Sequence, residues 1–199
     1  MTVAGAIALA ALAIVVASLG YLHLAPTGLS PVRNAVSQYG ITRFRSGYRV
    51  ATIAFAVAGG ALAVGIARAD GSRAAAVVVA LAIFAVARAV ISWFPMDAPG
   101  AARTQTGEIH GLLALAAFVP ATFAAFRLAT VLSSGTAWHA LAPVSTALGA
   151  LMAACLAGLA LARSHPALRA RFGAVERGFY ALAIAWFAVF AVACVANVG

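Results

Sequence analysis

Long apolar stretches alternate with short polar ones along the chain. They lack the two-residue alternation of a half-buried strand and are long enough to be helices. Six of them, Val3 to Leu24, Tyr48 to Ala67, Ala74 to Phe94, Glu108 to Leu132, Ala140 to Ala162 and Phe179 to Val198, reach the roughly 20 residues that an α-helix needs to cross a bilayer core. The connectors are too short for a separate soluble domain. The expectation is an all-α integral membrane protein, a six-transmembrane-helix bundle forming one domain over residues 1–199. The first run has no basic leader and no small-residue cleavage site, which predicts a retained helix. Gly59, Gly60, Gly65, Gly149 and Gly158 should let helix backbones approach closely, and Pro120 and Pro143 should kink or shorten their spans. No internal repeat is visible, which argues against transporters built from inverted halves.

Composition agrees with the pattern. Of 199 residues, 65% are hydrophobic and 9% charged, with a mean hydropathy of +1.05, whereas a soluble domain is roughly 25% charged. Thirteen arginines against four acids give a net charge of +9. The arginines lie in short segments between apolar runs and not on a polar domain surface, so nucleic acid is not the expected partner. Nine of them (Arg33, Arg43, Arg45, Arg49, Arg103, Arg163, Arg169, Arg171 and Arg177) fall on the odd-numbered connectors and only three (Arg68, Arg73 and Arg127) on the other side. By the positive-inside rule, connectors 1, 3 and 5 would face the cytoplasm in a multi-pass protein of the cell membrane. Cys155 and Cys194 sit within apolar runs, without the spacing of a disulfide framework or zinc site.

Candidate chemistry gathers at one end of the bundle. In the first connector, Ser30 followed by Pro31 reads as an N-cap with proline at the first helical position, and Gly40 as a stop. A short interfacial helix is expected between them. It would be either a surface strut or a lid that points Asn34 and Ser37 into the bundle. In the third connector Asp97 follows Pro95 at the membrane boundary, where an acid is costly unless paired. Thr106 is the expected cap of the fourth helix, Glu108 sits in its first turn where the helix dipole favours an anion, and His110 begins its apolar stretch. Arg88 lies inside the third span, either snorkelling to the membrane edge or paired with Asp97, Glu108 or Glu176. His23 and Trp93 lie at the same membrane level.

Three segments carry a resemblance: Phe94-Pro-x-Asp97-x-x-Gly100, then Gly107-x-x-His110-x-x-x-Ala114, and Ser30-Pro31-x-x-Asn34-x-x-Ser37-x-x-Gly40. With these the chain resembles the family of multi-pass membrane proteins catalogued as domain of unknown function 998 (DUF998). The resemblance implies a shared fold and a polar site at Asn34, Ser37, Asp97 and His110, and no particular reaction. Gln38 stands where members often carry an acid. Members also tend to have inward-facing N-termini, opposite to the charge count.

Two functions stay open from the sequence. One is an enzyme in which Asp97 and His110 form an acid/base pair acting on a lipid or isoprenoid, Asp97 having its pKa raised by partial removal from water. Asn34, Ser37, Arg88, Glu108, Trp93 and His23 would then contact substrate, and Arg88 with the fifth-connector arginines would hold an anionic head group. No cofactor is expected, and Asp97, His110 and His23 are too scattered to make a convincing metal site. The other is a non-enzymatic lipid or solute carrier, or an accessory subunit of a membrane complex. Membrane lipids are the expected partners of either, and oligomeric state is not legible. The charge count makes a prediction of its own. Single cysteines placed in the first and second connectors, in a background lacking Cys155 and Cys194, should react oppositely with an impermeant thiol reagent in intact cells. Labelling of the first connector from outside would contradict it.

Overall fold

The computed structural model describes residues 3–135, 138–162 and 164–196. Among them are seven α-helices, short 3₁₀ turns and no strand. The helices are α1 (Val3–Leu24), α2 (Arg45–Asp70), α3 (Ala75–Val90), α4 (Gln105–Ser133), α5 (Ala142–Leu161), the single turn α6 (Pro166–Arg169) and α7 (Phe172–Ala196). Six helical segments are long and apolar enough to cross a membrane, two of them counted with their flanking 3₁₀ turns. The chain is therefore a multi-pass membrane bundle. Consecutive spans pack as antiparallel neighbours, as short connectors require. α1 packs against α7 and closes the ring, and α2 and α7 also meet across its middle.

Lipid is as apolar as leucine, so helices in a bilayer associate through shape and hydrogen bonds more than through the hydrophobic effect. The shape comes largely from α7, where Phe179, Tyr180, Trp186, Phe187 and Phe190 recur on one face and are nearly fully buried. Phe55 of α2 meets Phe84 of α3 at 5.0 Å and Phe187 at 5.2 Å between ring centroids, edge contacts worth about 0.5–1.5 kcal/mol each beyond the area they bury. Glycines set the spacing. A Cβ on Gly59 would lie 2.7 Å from the Phe84 ring, and one on Gly65 2.7 Å from Sγ of Cys194. Gly60, expected in the same role, faces open space. One polar relay crosses the core: Trp186 Nε1 donates to Ser145 Oγ at 2.8 Å, and the Ser145 hydroxyl donates to the Ala125 carbonyl at 2.7 Å, joining α7, α5 and α4.

The structure differs from the sequence reading at the helix ends. α2, α4 and α7 begin before the expected Tyr48, Glu108 and Phe179, because the polar residues that interrupt an apolar count there are still helical. The expected end at Val198 lies outside the described residues. α4 runs unbroken through Pro120, and Pro143 occupies the first turn of α5, where its missing N–H leaves no helical bond unmade. The first connector is not one α-helix from Ser30 to Gly40. It is a turn followed by a 3₁₀ helix, Val36–Ile41. The Asn34 side chain accepts the Ser30 amide at 2.7 Å, and the Val32 carbonyl accepts the Ala174 amide at 2.9 Å, so groups that would extend an α-helix are engaged elsewhere.

Ser145→Ala should cost about 1–2 kcal/mol, because it leaves the buried Trp186 N–H without an acceptor. This would read as a lower melting temperature in detergent. Thr146→Ala, whose exposed hydroxyl bonds only to the Ala142 carbonyl of its own helix, should be nearly neutral.

Candidate functional site

The site is built where the first turns of α7 meet the first connector. A Cβ on Gly173 would run into the carbonyl oxygens of Asn34 and Pro31, so only glycine permits this approach. From that position Glu176 Oε2 accepts the Val36 amide at 2.6 Å. Arg177 donates to the Asn34 carbonyl at 2.7 Å, to the Tyr39 hydroxyl at 3.1 Å and to His23 Nε2 at 2.6 Å. Glu176 is buried. Backbone that leaves a helix at the membrane edge has no lipid partner, and the Glu176 carboxyl and the Arg177 guanidinium supply one.

A second clamp holds the third connector. Both Asp97 oxygens are taken by Thr104: Oδ2 accepts its amide at 3.1 Å and Oδ1 its hydroxyl at 2.7 Å. Thr104 in turn caps α4 by accepting the Gly107 amide at 3.1 Å. The cap is therefore Thr104 and not the expected Thr106, because Asp97 fixes the Thr104 hydroxyl in place and the helix starts at Gln105. The pKa of Asp97 moves opposite to expectation. Hydrogen bonds from Thr104 hold its carboxyl below the ordinary 3.8, while desolvation opposes them only weakly. Asp97 also packs against Gly107, where a Cβ would overlap its carboxylate.

Behind these clamps α4, α5 and α7 form the walls of a partly open cavity of about 510 Å³. Gly107, His110, Gly111, Ala114, Leu115 and Phe118 line it from α4, one stripe of that helix at three- and four-residue steps. Leu156, Leu159 and Ala160 of α5 and Phe172 and Glu176 of α7 form the other walls, and Ala35, Ser37, Met96 and Asp97 roof it. The space exists because the stripe is small at Gly111 and Ala114, whereas Gly107 makes room for the Asp97 carboxylate. A wider outer chamber of about 840 Å³ adjoins it, sharing Asp97, Gly107, Gly111, Leu115 and Phe172 and adding Arg103, Glu108 and Arg169.

His110 is oriented for chemistry. It is 6% exposed, and its Nδ1 lies 2.7 Å from the Phe94 carbonyl oxygen. A carbonyl only accepts, so Nδ1 carries the proton and Nε2 keeps its lone pair. Glu176 Oε2 faces the Val36 amide, which leaves Oε1 without a protein partner among the described residues. The arrangement offers a base and a second proton-exchanging group in one apolar pocket.

The sequence-derived candidates divide. Asp97, His110, Ser37 and Glu108 come together around the two chambers, with Ser37 donating to Met96 Sδ at 3.0 Å. Asn34 turns to Ser30 and Gln38 instead. His23 lies against Arg177, and Trp93 against Arg49. Arg88 neither snorkels nor forms an ion pair among the described residues. It is 2% exposed, donates to the Tyr180 hydroxyl at 2.9 Å and lies over the Tyr180 and Phe55 rings, because its side of α3 faces the bundle and not lipid. No three His, Cys, Asp or Glu side chains assemble among the described residues, so Asp97, His110 and His23 do not form one cluster. Glu176 and Arg103 were not among the candidates. An acid one helical turn before an apolar run was the available signal for Glu176.

Fold and site together define a multi-pass helical membrane protein with a largely apolar cavity that carries His110, Asp97 and Glu176. The chain belongs to the family described as Protein of unknown function (DUF998), whose model matches residues 7–193. No curated protein and no solved structure matches it.

The Asp97 clamp predicts an acid-sensitive loop. A carboxyl whose pKa is lowered on folding stabilises fully above its ordinary value and loses that contribution as pH falls through the lowered one. Asp97→Asn should melt below wild type near neutral pH, and the difference should shrink as pH falls through the ordinary 3.8 and below it.

Proposed function

We propose that the protein is a membrane-embedded acid/base enzyme acting on a lipid or isoprenoid, with His110 as base and Glu176 as its partner. The observation that carries this reading is the anchored Nδ1–H of His110, which leaves Nε2 as an acceptor inside a cavity that also holds Glu176. The apolar walls at Leu115, Phe118, Leu156 and Leu159 suit a hydrocarbon chain, and the outer chamber with Arg103 and Arg169 suits a polar head. His110 would take a proton from the substrate, and the Glu176 carboxyl would return one. The water-poor walls strengthen each polar contact made there. Asp97 acts as a positioning residue, because Thr104 already occupies both of its oxygens. If connectors 1, 3 and 5 are cytoplasmic, the cavity draws on the inner leaflet.

The test compares lipid extracts of membranes from cells producing wild-type protein, His110→Gln or Ala114→Leu, each checked for folding by its melting temperature. Wild type should deplete one lipid species and enrich another. His110→Gln should slow that conversion by about 10²–10⁴-fold, and Ala114→Leu should impair it by filling the pocket. Lipid profiles that are the same for wild type and His110→Gln would overturn the acid/base reading. An amphiphile co-purifying equally with both proteins, without conversion, would favour the carrier instead.

A further inference from the structure

A third cavity, of about 390 Å³, lies where the start of α2 meets the end of α3, and it shares no lining residue with the two chambers of the candidate site. Arg45, Arg49, Ser92 and Trp93 line it, with Gly40 and Pro95 at its margin. Its electrostatics are unfavourable as they stand. Arg45 and Arg49 are one turn apart on the same helix, a spacing at which like charges repel. They sit at the end of α2 where the helix dipole is positive. The first turn of α2 has no acid, and its N-cap residue, Phe44, provides no side-chain cap. No carboxylate among the described residues lines the cavity.

Ser92 and Trp93 add to this lining. The Ser92 hydroxyl is covered from solvent and has no hydrogen-bond partner among the described residues, so a small shift that uncovered it to a ligand oxygen would remove a cost. The Arg49 guanidinium lies 4.8 Å over the Trp93 ring, which holds it in place. Trp93 itself is 53% exposed, as expected of an aromatic at head-group depth. A tetrahedral oxyanion suits the guanidinium forks of these two exposed arginines, and the serine hydroxyl would join them once uncovered.

We propose that this cavity is a binding site for a phosphate-bearing anion at the membrane edge, either the head group of an anionic phospholipid or a soluble phosphate. The site is independent of the chemistry at His110. The test measures melting temperature and binding in neutral detergent with dioctanoyl phosphatidylglycerol, with phosphatidylcholine of the same chain length, and with inorganic phosphate. Phosphatidylglycerol should raise the melting temperature of wild type, and Arg45→Gln/Arg49→Gln should weaken its binding about 30-fold. Ser92→Ala should weaken it several-fold with the charge unchanged. Arg68→Gln/Arg73→Gln, at the opposite face, and His110→Gln should bind as wild type does. Protection by the lipid alone identifies a head group, and equal protection by inorganic phosphate identifies a soluble anion at the same site. Without added anion, Arg45→Gln/Arg49→Gln should melt at or above wild type, because the variant relieves repulsion. The proposal is overturned if this variant keeps the wild-type response, if phosphatidylcholine protects equally, or if the anion-free variant is much less stable than wild type.

Discussion

Backbone groups that leave a helix at the edge of a bilayer must find partners within the protein, and in this chain the first turns of α7 provide them for the first connector. Glu176 takes the Val36 amide, Arg177 supplies the Asn34 carbonyl and the Ala174 amide reaches the Val32 carbonyl. A hydrogen bond from a charged group such as the Arg177 guanidinium is worth about 1.5–3 kcal/mol and a neutral one about 0.5–1.5 kcal/mol, so this seam contributes about as much as a few core packing contacts. It also fixes geometry. By holding α7 against the connector that follows α1, it completes the ring of helices. It also places Glu176 under a roof made by the same connector.

The cavity follows from that placement together with the small stripe of α4. Gly111 and Ala114 leave room where larger side chains would fill the space between α4, α5 and α7, and Asp97, packed on Gly107, pins the loop above it. α4 is 29 residues long, about 43 Å at 1.5 Å per residue, longer than the roughly 30 Å hydrocarbon core. His110, in its second turn, therefore sits near the head-group boundary with a dry wall on one side and polar loops on the other. That position serves an acid/base group working on an amphiphile, because the polar head stays near water while the reacting centre is withdrawn from it.

Much of the fold was legible in the sequence. Bilayer thickness sets a length that apolar counting detects directly, so all six spans were found, and the gathering of ionisable residues at one end followed from placing them between the spans. The segment from Asp97 to His110 stood out because an acid and a histidine beside an apolar run need partners. What stayed hidden depends on tertiary contact. The start of α7 was read as loop because Glu176 and Arg177 look like membrane-exterior residues until their bonds to the first connector are known. Arg88 does lie within electrostatic range of an acid, Glu176, but its direct contacts are Tyr180 and Phe55, which only tertiary packing reveals. Thr104 was passed over as the cap because its rival Thr106 lies nearer the apolar stretch, and only the reach of Asp97 decides between them.

The central claim is that His110 carries its proton on Nδ1 and offers Nε2 to the cavity. Nitrogen NMR of protein labelled at histidine, in detergent at neutral pH, with the His110 signals assigned by their loss in His110→Gln, measures this directly. The expected spectrum is that of a neutral ring with a protonated Nδ1 and an unprotonated Nε2 whose shift changes when a short-chain lipid enters the cavity. A ring protonated on Nε2, or an Nε2 signal that no lipid moves, would contradict it.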